Sequence, residues 1–239
     1  MKNYIQYLNE VFEEHYLEEM ALPQDFHRSK TYYHGTSKAI SAKGIFEKGI
    51  QPPDLTNRKG KLKPVEGKVY ITHSLEMGII YALGASMLGY DMTSFLKNDE
   101  DRYGYLFVID GNQLKDIQPD EDNVGEFIYK CYKNPGYKLT NNLLWLDYLA
   151  ITKLTPNQLQ RVKHGEYDDW AMAGKKLMKF MTDDQKIQLI DLGANIAHHG
   201  AIIPKEVWKF DKKDSPKLNK DGSNFFDIAT KIKSIEEIG

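Results

Sequence analysis

Two clusters of aromatic and histidine residues are the parts of the sequence whose chemistry suggests a site. In the first, "TYYHGTS", His34 stands between an aromatic pair and a Gly-Thr-Ser run. In the second, "NIAHHGAIIP", His198 and His199 precede a glycine. A glycine beside a histidine lets a ligand approach the main chain, although a lone histidine is more often a satisfied part of the core. These residues therefore suggest ligand binding, with a structural role as the alternative.

The commonest catalytic signatures are absent from the sequence. It has no GxGxxG, GxxxxGK[ST], GxSxG or HExxH motif, which removes the usual signatures of dinucleotide, nucleoside-triphosphate, hydrolase and zinc-protease sites. The single cysteine, Cys131, cannot form an internal disulfide or a cysteine-based zinc site. The acidic run at 119–123 is typical of a solvated turn, so we expect no metal site.

Composition is that of an ordinary globular protein. Of the 239 residues, 41% are hydrophobic and 28% are charged, which suits one domain with elaborations. A formal charge of −2 gives no global attraction to nucleic acid or to an anionic membrane. No apolar run reaches the roughly 18 residues of a membrane span, and no secretory signal is visible. We therefore expect a soluble, cytoplasmic protein without a membrane partner.

The hydrophobic pattern predicts an α+β fold with mostly antiparallel strands. Residues 1–28 are expected to form an amphipathic helical segment, and residues 29–239 a single domain with a helical insertion near 155–192. Aromatic and β-branched runs predict strands at 31–37, 68–74, 103–110 and 143–152. The alternating segment 195–210 predicts a further strand, with a bend or an edge position at Pro204. Helices are predicted at 75–88, 155–165, 183–192 and 225–238.

The first cluster and the segments after it resemble a known superfamily. The run "YYHGTS", a downstream "GIQPP" and then "GKVYITHSLEMGIIYALGA" are similar to the first two conserved elements of ADP-ribosyltransferases of the poly(ADP-ribose) polymerase and diphtheria-toxin type. The similarity in strand order extends over most of residues 30–210. It implies a split antiparallel β-sandwich around an NAD cleft, with NAD as substrate and no metal.

The resemblance gives roles to five residues. It implies that His34 binds the adenosine ribose of NAD, that the main chain of Gly35 pairs with the nicotinamide amide, and that Thr36 lies beside them. Tyr70 and Tyr81, eleven residues apart as in the family, would hold the nicotinamide ring between them.

The chain departs from the family at two positions. The family often has a serine where this chain has Gly78. A late-strand glutamate stabilises the positive charge that develops as nicotinamide leaves, an effect of roughly 3 kcal/mol for such groups, and "NIAHHGAIIP" aligns Asn195 with it. Three readings follow: Asn195 is a working substitute, Glu206 or Asp147 supplies the charge, or the protein binds NAD without turnover.

Two further features suggest anion binding. Arg58 opens a segment, 58–68, that has five basic residues and a single acid, and it could hold the pyrophosphate of NAD or a nucleic acid. RNA 2′-phosphotransferases share the fold of the ADP-ribosyltransferases and use histidines at their site. In this chain, His198 or His199 could have that role. Because adjacent strand residues point to opposite faces, at most one of these two can face a given pocket.

Together these features predict an NAD-dependent ADP-ribosyltransferase that releases nicotinamide and modifies a macromolecule, either protein or nucleic acid. The opening "MKNYIQYLNEVFEE" resembles those of tailed-phage proteins, which favours a toxin or an effector in phage–host conflict. The alternatives are a catalytically silent NAD-fold binding module and an enzyme like the RNA 2′-phosphotransferases.

Overall fold

The computed structural model describes residues 30–52, 67–84, 102–114, 117–165, 167–219 and 221–238. The helical segment predicted at 1–28 and the basic residue Arg58 lie outside these ranges. The described strands are β1 (Thr31–Thr36), β2 (Lys68–Ile71), β3 (Tyr103–Asp110), β4 (Gln118–Pro119), β5 (Ile196–His199), β6 (Glu206–Asp211) and β7 (Thr230–Ile232). The described α-helices are α1 (Ala39–Lys48), α2 (Leu75–Leu83), α3 (Glu121–Lys133), α4 (Pro135–Thr140), α5 (Leu144–Lys153), α6 (Pro156–His164), α7 (Tyr167–Leu177), α8 (Asp183–Asp191) and α9 (Phe225–Ile228).

The described residues form two compact units. The helical unit contains residues 118–165 and 167–194, with β4 and helices α3 to α8. The sheet unit contains the remaining described residues, with the other strands and α1, α2 and α9. The helical insertion predicted near 155–192 lies inside the helical unit, whose described part begins earlier, at residue 118. In the described part of the chain, no helix is both long and apolar enough to cross a membrane.

A four-stranded antiparallel sheet forms the centre of the sheet unit. Its strand order is β1-β3-β6-β7, and β3 is buried over most of its length because it has a neighbour on each side. The register sets His34 opposite Phe107 and Gly35 opposite Leu106. Mixed helices and antiparallel strand pairs confirm the α+β prediction at this coarse level.

A second antiparallel pair, β2 and β5, adjoins the edge of β1. Tyr70 lies opposite Ala197 in this pair. One bridge joins the end of β2 to β1: the N–H of Tyr33 donates to the carbonyl of Thr72 over 2.7 Å, and the N–H of Thr72 donates back over 2.9 Å. The bridge brings the His34-Gly35 segment next to β2.

Two glycines allow α2 to lie directly against β1. A Cβ atom at Gly35 would overlap the main chain of α2 at Gly78 and Ala82. A Cβ atom at Gly78 would lie 2.7 Å from Cβ of Tyr33 and 2.9 Å from Cδ1 of Leu106. Such separations are too short for real side chains, so both positions require glycine in this packing.

The strand predicted at 143–152 is wrong, because these residues belong mainly to α5 in the helical unit. Their buried members are Trp145, Leu146, Leu149 and Ala150, a spacing that follows one face of a helix. The aromatic and β-branched content favoured a strand, but the period of the buried residues is helical. The core of this unit packs around Trp145, whose Nε1 donates to Oε1 of Gln188 over 2.8 Å.

The terminal helix predicted at 225–238 is wrong in length. Only α9 is α-helical there, and the chain then pairs with β6 as the edge strand β7, with Ile232 opposite Val207. Thr230 and Ile232 are β-branched residues two positions apart, a pattern that fits a pleated edge strand.

Candidate functional site

The outer edge of β1 at Gly35 has no main-chain partner among the described residues. Along β1, Lys30 accepts a bond from Gly111 on the β3 side, whereas the N–H and C=O of Tyr33 face the other way and bond to Thr72. Because bonding directions alternate along a strand, the N–H and C=O of Gly35 also point to the Thr72 side. Beyond the bridge, no described main-chain group pairs with Gly35 on that side. An amide ligand could pair with its donor and its acceptor together.

The imidazole of His34 is fixed by the main chain of β2. Its Nδ1 lies 3.1 Å from the carbonyl oxygen of Tyr70, and since a carbonyl can only accept, Nδ1 carries the proton. Burial lowers the pKa of His34, an effect larger than the opposite one of the bond to Tyr70. The ring is therefore neutral at pH 7, and Nε2 has a lone pair for a ligand hydroxyl group.

A hydrogen bond joins α2 to the start of β5. Nδ2 of Asn195 donates to the phenol oxygen of Tyr81 over 3.0 Å. Asn195 directly precedes β5, and continuing the register of the β2–β5 pair puts it opposite Thr72, the residue bridged to β1. The three elements predicted from the sequence therefore meet around Thr72.

One face of the β2–β5 pair carries the predicted ring-binding residue Tyr70. Side chains alternate along a strand, so Lys68 shares this face, as do Asn195 and His199 on the neighbouring strand. His198 points to the opposite, apolar face and is only 6% exposed, whereas His199 is exposed. Of the two histidines, His199 is the one placed on the face of Tyr70.

Thr36 and Gly78 lie beside this site. None of their described contacts adds a ligand-binding group. Thr36 ends β1, and its Oγ1 accepts a long bond, 3.4 Å, from the N–H of Lys38 at the start of α1. Gly78 faces Tyr33, and a serine there would have no room. The side-chain contact to the carboxamide that is common in the family is therefore not available from position 78.

The two carboxylates considered as substitutes for the family's glutamate are held by ion pairs. Glu206 lies 2.7 Å from Nζ of Lys231 and accepts from Nε1 of Trp208 over 2.9 Å, and these bonds lower the pKa of Glu206. Asp147 belongs to the helical unit and lies 2.6 Å from Nζ of Lys138. Asn195 is thus the candidate whose side chain is tied to a predicted ring-binding tyrosine.

Metal and thiol chemistry find no support in the part of the chain that the structure describes. No group of three or more histidine, cysteine, aspartate and glutamate side chains is arranged there to hold a metal ion. Cys131 is buried, and this burial raises its thiol pKa to about 12. The thiol is therefore protonated at neutral pH and a poor nucleophile.

Sequence reasoning missed the role of Thr72 and the placement of Lys68. Thr72 is buried, bridges β1 and β2, and accepts from the N–H of Ser74 through Oγ1 over 3.2 Å. The alternation in "KVYIT" places Lys68, Tyr70 and Thr72 on one face, a signal that was present in the sequence. The bridge itself has no such signal, because it joins residues far apart in the chain.

Comparison with known proteins adds no assignment: no protein-family model, no curated protein and no solved structure matches this chain. The chemistry must be judged from the geometry. The sheet unit combines the open donor and acceptor of Gly35, an acceptor nitrogen on His34, two tyrosines and the amide of Asn195. Such a set can bind a planar ring that carries an amide, together with a ribose hydroxyl group.

Proposed function

We propose that this protein is an NAD-dependent ADP-ribosyltransferase that releases nicotinamide and transfers ADP-ribose to a macromolecular acceptor. The observation that carries the proposal is the bond between Asn195 and Tyr81, two residues 114 positions apart. Both were candidate site residues in separate sequence elements. Their bond joins α2 to the start of β5, and the contact of His34 with Tyr70 joins β1 to β2. Both contacts lie near the strand edge of Gly35.

NAD complements the groups of this site. The carboxamide of nicotinamide has one carbonyl and one NH₂ group, which match the N–H and C=O of Gly35. Tyr70 and Tyr81 offer aromatic rings to the nicotinamide ring. The lone pair on Nε2 of His34 can accept from a hydroxyl group of the adenosine ribose.

The proposed reaction breaks the bond between the nicotinamide nitrogen and C1′ of the ribose. The electron pair leaves with nicotinamide, and the ribose becomes oxocarbenium-like until a nucleophile of the acceptor bonds to C1′ and gives up its proton. Asn195 supports this state through Oδ1, which can accept from a ribose hydroxyl group. An amide dipole stabilises the developing cation less than a carboxylate would, so slow turnover is expected.

The second candidate is an NAD-binding module without catalysis. Asn195 also favours this second candidate. Its side chain has no negative charge, and its amide nitrogen already donates a hydrogen bond to Tyr81. The two candidates share the binding site and differ only in nicotinamide release. RNA 2′-phosphate transfer through His198 is disfavoured, because His198 lies on the apolar face. His199, which shares the face of Tyr70, keeps that alternative open.

Incubation of the full chain with labelled NAD, with and without cell lysate, separates these outcomes. A transferase releases nicotinamide and leaves label on the protein fraction or the nucleic-acid fraction, which also names the class of acceptor. NAD binding without nicotinamide release in either sample would support the silent module. A chain that does not bind NAD at all would contradict both candidates.

Replacement of Asn195 tests the assigned chemistry. Asn195→Glu should increase nicotinamide release at least roughly tenfold, because it restores a carboxylate beside the ribose. His34→Ala and Tyr70→Ala should weaken NAD binding. Matched controls are His164→Ala and Tyr132→Phe, at exposed positions of the helical unit, which should behave as wild type. A decrease in release for Asn195→Glu in a folded protein would argue against this alignment of the third element.

A further inference from the structure

The middle of the helical unit carries an excess of positive charge. Residues 127–165 have six lysine and arginine side chains against one acid, Asp147, although the formal charge of the whole chain is −2. The flanking segments 118–126 and 166–194 each have more acids than bases. Asp147 pairs with Lys138 inside the segment, so it offsets none of the other five cations. The segment can therefore attract an anionic partner that the chain as a whole would not.

Helices α3 and α6 bring two of these lysines over tyrosine rings. Nζ of Lys163 lies 4.3 Å from the ring centroid of Tyr132, and Nζ of Lys133 lies 5.5 Å from that of Tyr129. Both tyrosines and Lys133 share one face of α3, because they are three and four residues apart. At Gly165, which follows α6, an added Cβ atom would lie 3.1 Å from the ring of Tyr129, so the end of α6 contacts this face. We call Tyr129, Tyr132, Lys133 and Lys163 the lysine–tyrosine face.

The lysine–tyrosine face leaves groups open to a ligand. Tyr132 is 49% exposed even though Lys163 lies over its ring, and Lys133 is exposed. In the part of the chain that the structure describes, neither lysine pairs with a carboxylate. The other lysine and arginine of α3 and α6 are ion-paired, Lys130 with Glu126 and Arg161 with Asp169. The N–H donors of Lys133 and Lys163 are therefore available to an anion.

Cations beside exposed aromatic rings suit single-stranded nucleic acid. Its phosphates bind to lysine ammonium groups, and its unpaired bases stack on aromatic rings. An acidic peptide would match the charge alone. Lysines near helix C-termini also offset the helix dipole, but that role needs no tyrosine ring.

We propose that the lysine–tyrosine face binds single-stranded nucleic acid, with a base stacked on Tyr132 and neighbouring phosphates on Lys133 and Lys163. The proposal goes beyond the NAD site, which belongs to the sheet unit, and it holds whether or not NAD is bound. If the proposed transferase activity holds as well, nucleic acid becomes the favoured class of acceptor.

Fluorescence anisotropy of labelled oligonucleotides mixed with the full chain tests this face. Unstructured RNA and DNA strands of about 16 nucleotides cover a typical site. The double variant Lys133→Gln, Lys163→Gln should weaken binding about tenfold and make the slope of log affinity against log salt shallower by about 1.4, because two phosphate contacts are lost. Tyr132→Leu should weaken binding about tenfold without changing this slope, whereas Tyr132→Phe should bind as wild type because its ring still stacks.

The contradicting outcomes are equally specific. The proposal is overturned if the wild-type chain binds neither strand at low salt, or if the double variant binds as tightly as wild type. It also fails if Tyr132→Leu binds as wild type and poly-glutamate competes as well as an unlabelled strand, since the face would then respond to charge alone. Lys175→Gln, at an exposed lysine of α7, is the matched control and should change the affinity little.

Calorimetry with NAD on the same samples keeps this proposal separate from the proposed function. The double variant and Tyr132→Leu should bind NAD as wild type does, and thermal unfolding shows that each variant is folded. If the chain binds an oligonucleotide but not NAD, only the proposed function fails. If it binds NAD but no oligonucleotide, only the role of the lysine–tyrosine face fails.

Discussion

The helical unit and the sheet unit both use glycine to bring main chains together, and the result differs. In the helical unit, Gly125 and Gly174 let α3 and α7 pack closely, and a Cβ atom at either would overlap the partner helix. In the sheet unit, Gly35 and Gly78 let α2 lie against β1, while the outer N–H and C=O of Gly35 remain at a strand edge. Close packing completes a core in one unit and borders a candidate site in the other.

The two units also differ in how far apart in the sequence their hydrogen-bonded residues lie. In the helical unit, Thr155 and Thr182 begin α6 and α8 with capping boxes, which satisfy helix ends within three residues. In the sheet unit, the two side-chain bonds that define the site span 36 and 114 positions. Substitutions in the core of the helical unit should therefore act mainly on stability, and those that remove one of these two side-chain bonds mainly on ligand binding.

The largest expected effect is on the core of the helical unit. Trp145→Ala should lower the free energy of unfolding by about 3–5 kcal/mol, because it empties a buried indole site and removes the bond to Gln188. Urea denaturation followed by circular dichroism measures this loss. Tyr132→Ala is the control, since Tyr132 is 49% exposed. Similar losses for both variants would mean that Trp145 does not organise this core.

The next effect compares two helix glycines of the sheet unit. Gly78→Ala should lower the free energy of unfolding by about 1–3 kcal/mol, because the added methyl group meets Tyr33 and Leu106. Gly44→Ala, in α1, should instead stabilise the protein by up to about 1 kcal/mol, since nothing lies within 4 Å of the added atom. Thermal unfolding shows whether each variant is less stable or more stable than wild type. A change in the same direction for both variants would contradict the close contact of α2 with β1.

A smaller effect concerns Asp122 in the first turn of α3. Burial, with the charges of Glu121 and Asp168, raises the pKa of Asp122 to about 6. The folded state therefore binds this proton more tightly than the unfolded state. The stabilising contribution is complete below about pH 4 and is lost as the pH rises through 6. Asp122→Asn should stabilise the protein at pH 7 by about 1–2 kcal/mol, allowing for partial solvent screening.

Denaturant titrations between pH 4 and pH 7 test this prediction. The wild-type protein should lose stability across this range more steeply than Asp122→Asn. Asp183→Asn is the matched control, because Asp183 is an exposed acid in the first turn of α8. That variant should be slightly less stable than wild type at pH 7, since it loses a favourable charge at a helix N-terminus. Stabilisation by both variants would point to overall charge rather than to the burial of Asp122.

Local signals explain which parts of the fold could be predicted. The strands containing His34 and Tyr70 and the helix begun by Thr155 follow from aromatic alternation and a capping residue, and they are confirmed. The residue types of the segment 143–152 favour a strand, but its buried residues recur with a helical period, and the period decides the structure. For the site, the sequence offered the residues and their order. The Thr72 bridge and the Asn195 bond could not be predicted, because each joins distant segments.

The smallest expected effect concerns the hydrogen bond between Asn195 and Tyr81. Tyr81→Phe keeps the aromatic ring but removes the oxygen that accepts from Asn195, so NAD affinity should fall roughly fivefold, about 1 kcal/mol, with little change in the free energy of unfolding. Tyr132→Phe, at an exposed ring of α3, should alter neither quantity. Calorimetry with NAD and urea denaturation of the same samples give both values. If Tyr81→Phe instead lowers stability and leaves NAD affinity unchanged, the bond serves the fold, as the bond of Trp145 does in the helical unit. In that case, only Gly35 and His34 would support the view that the sheet unit holds an NAD site while the helical unit holds a core.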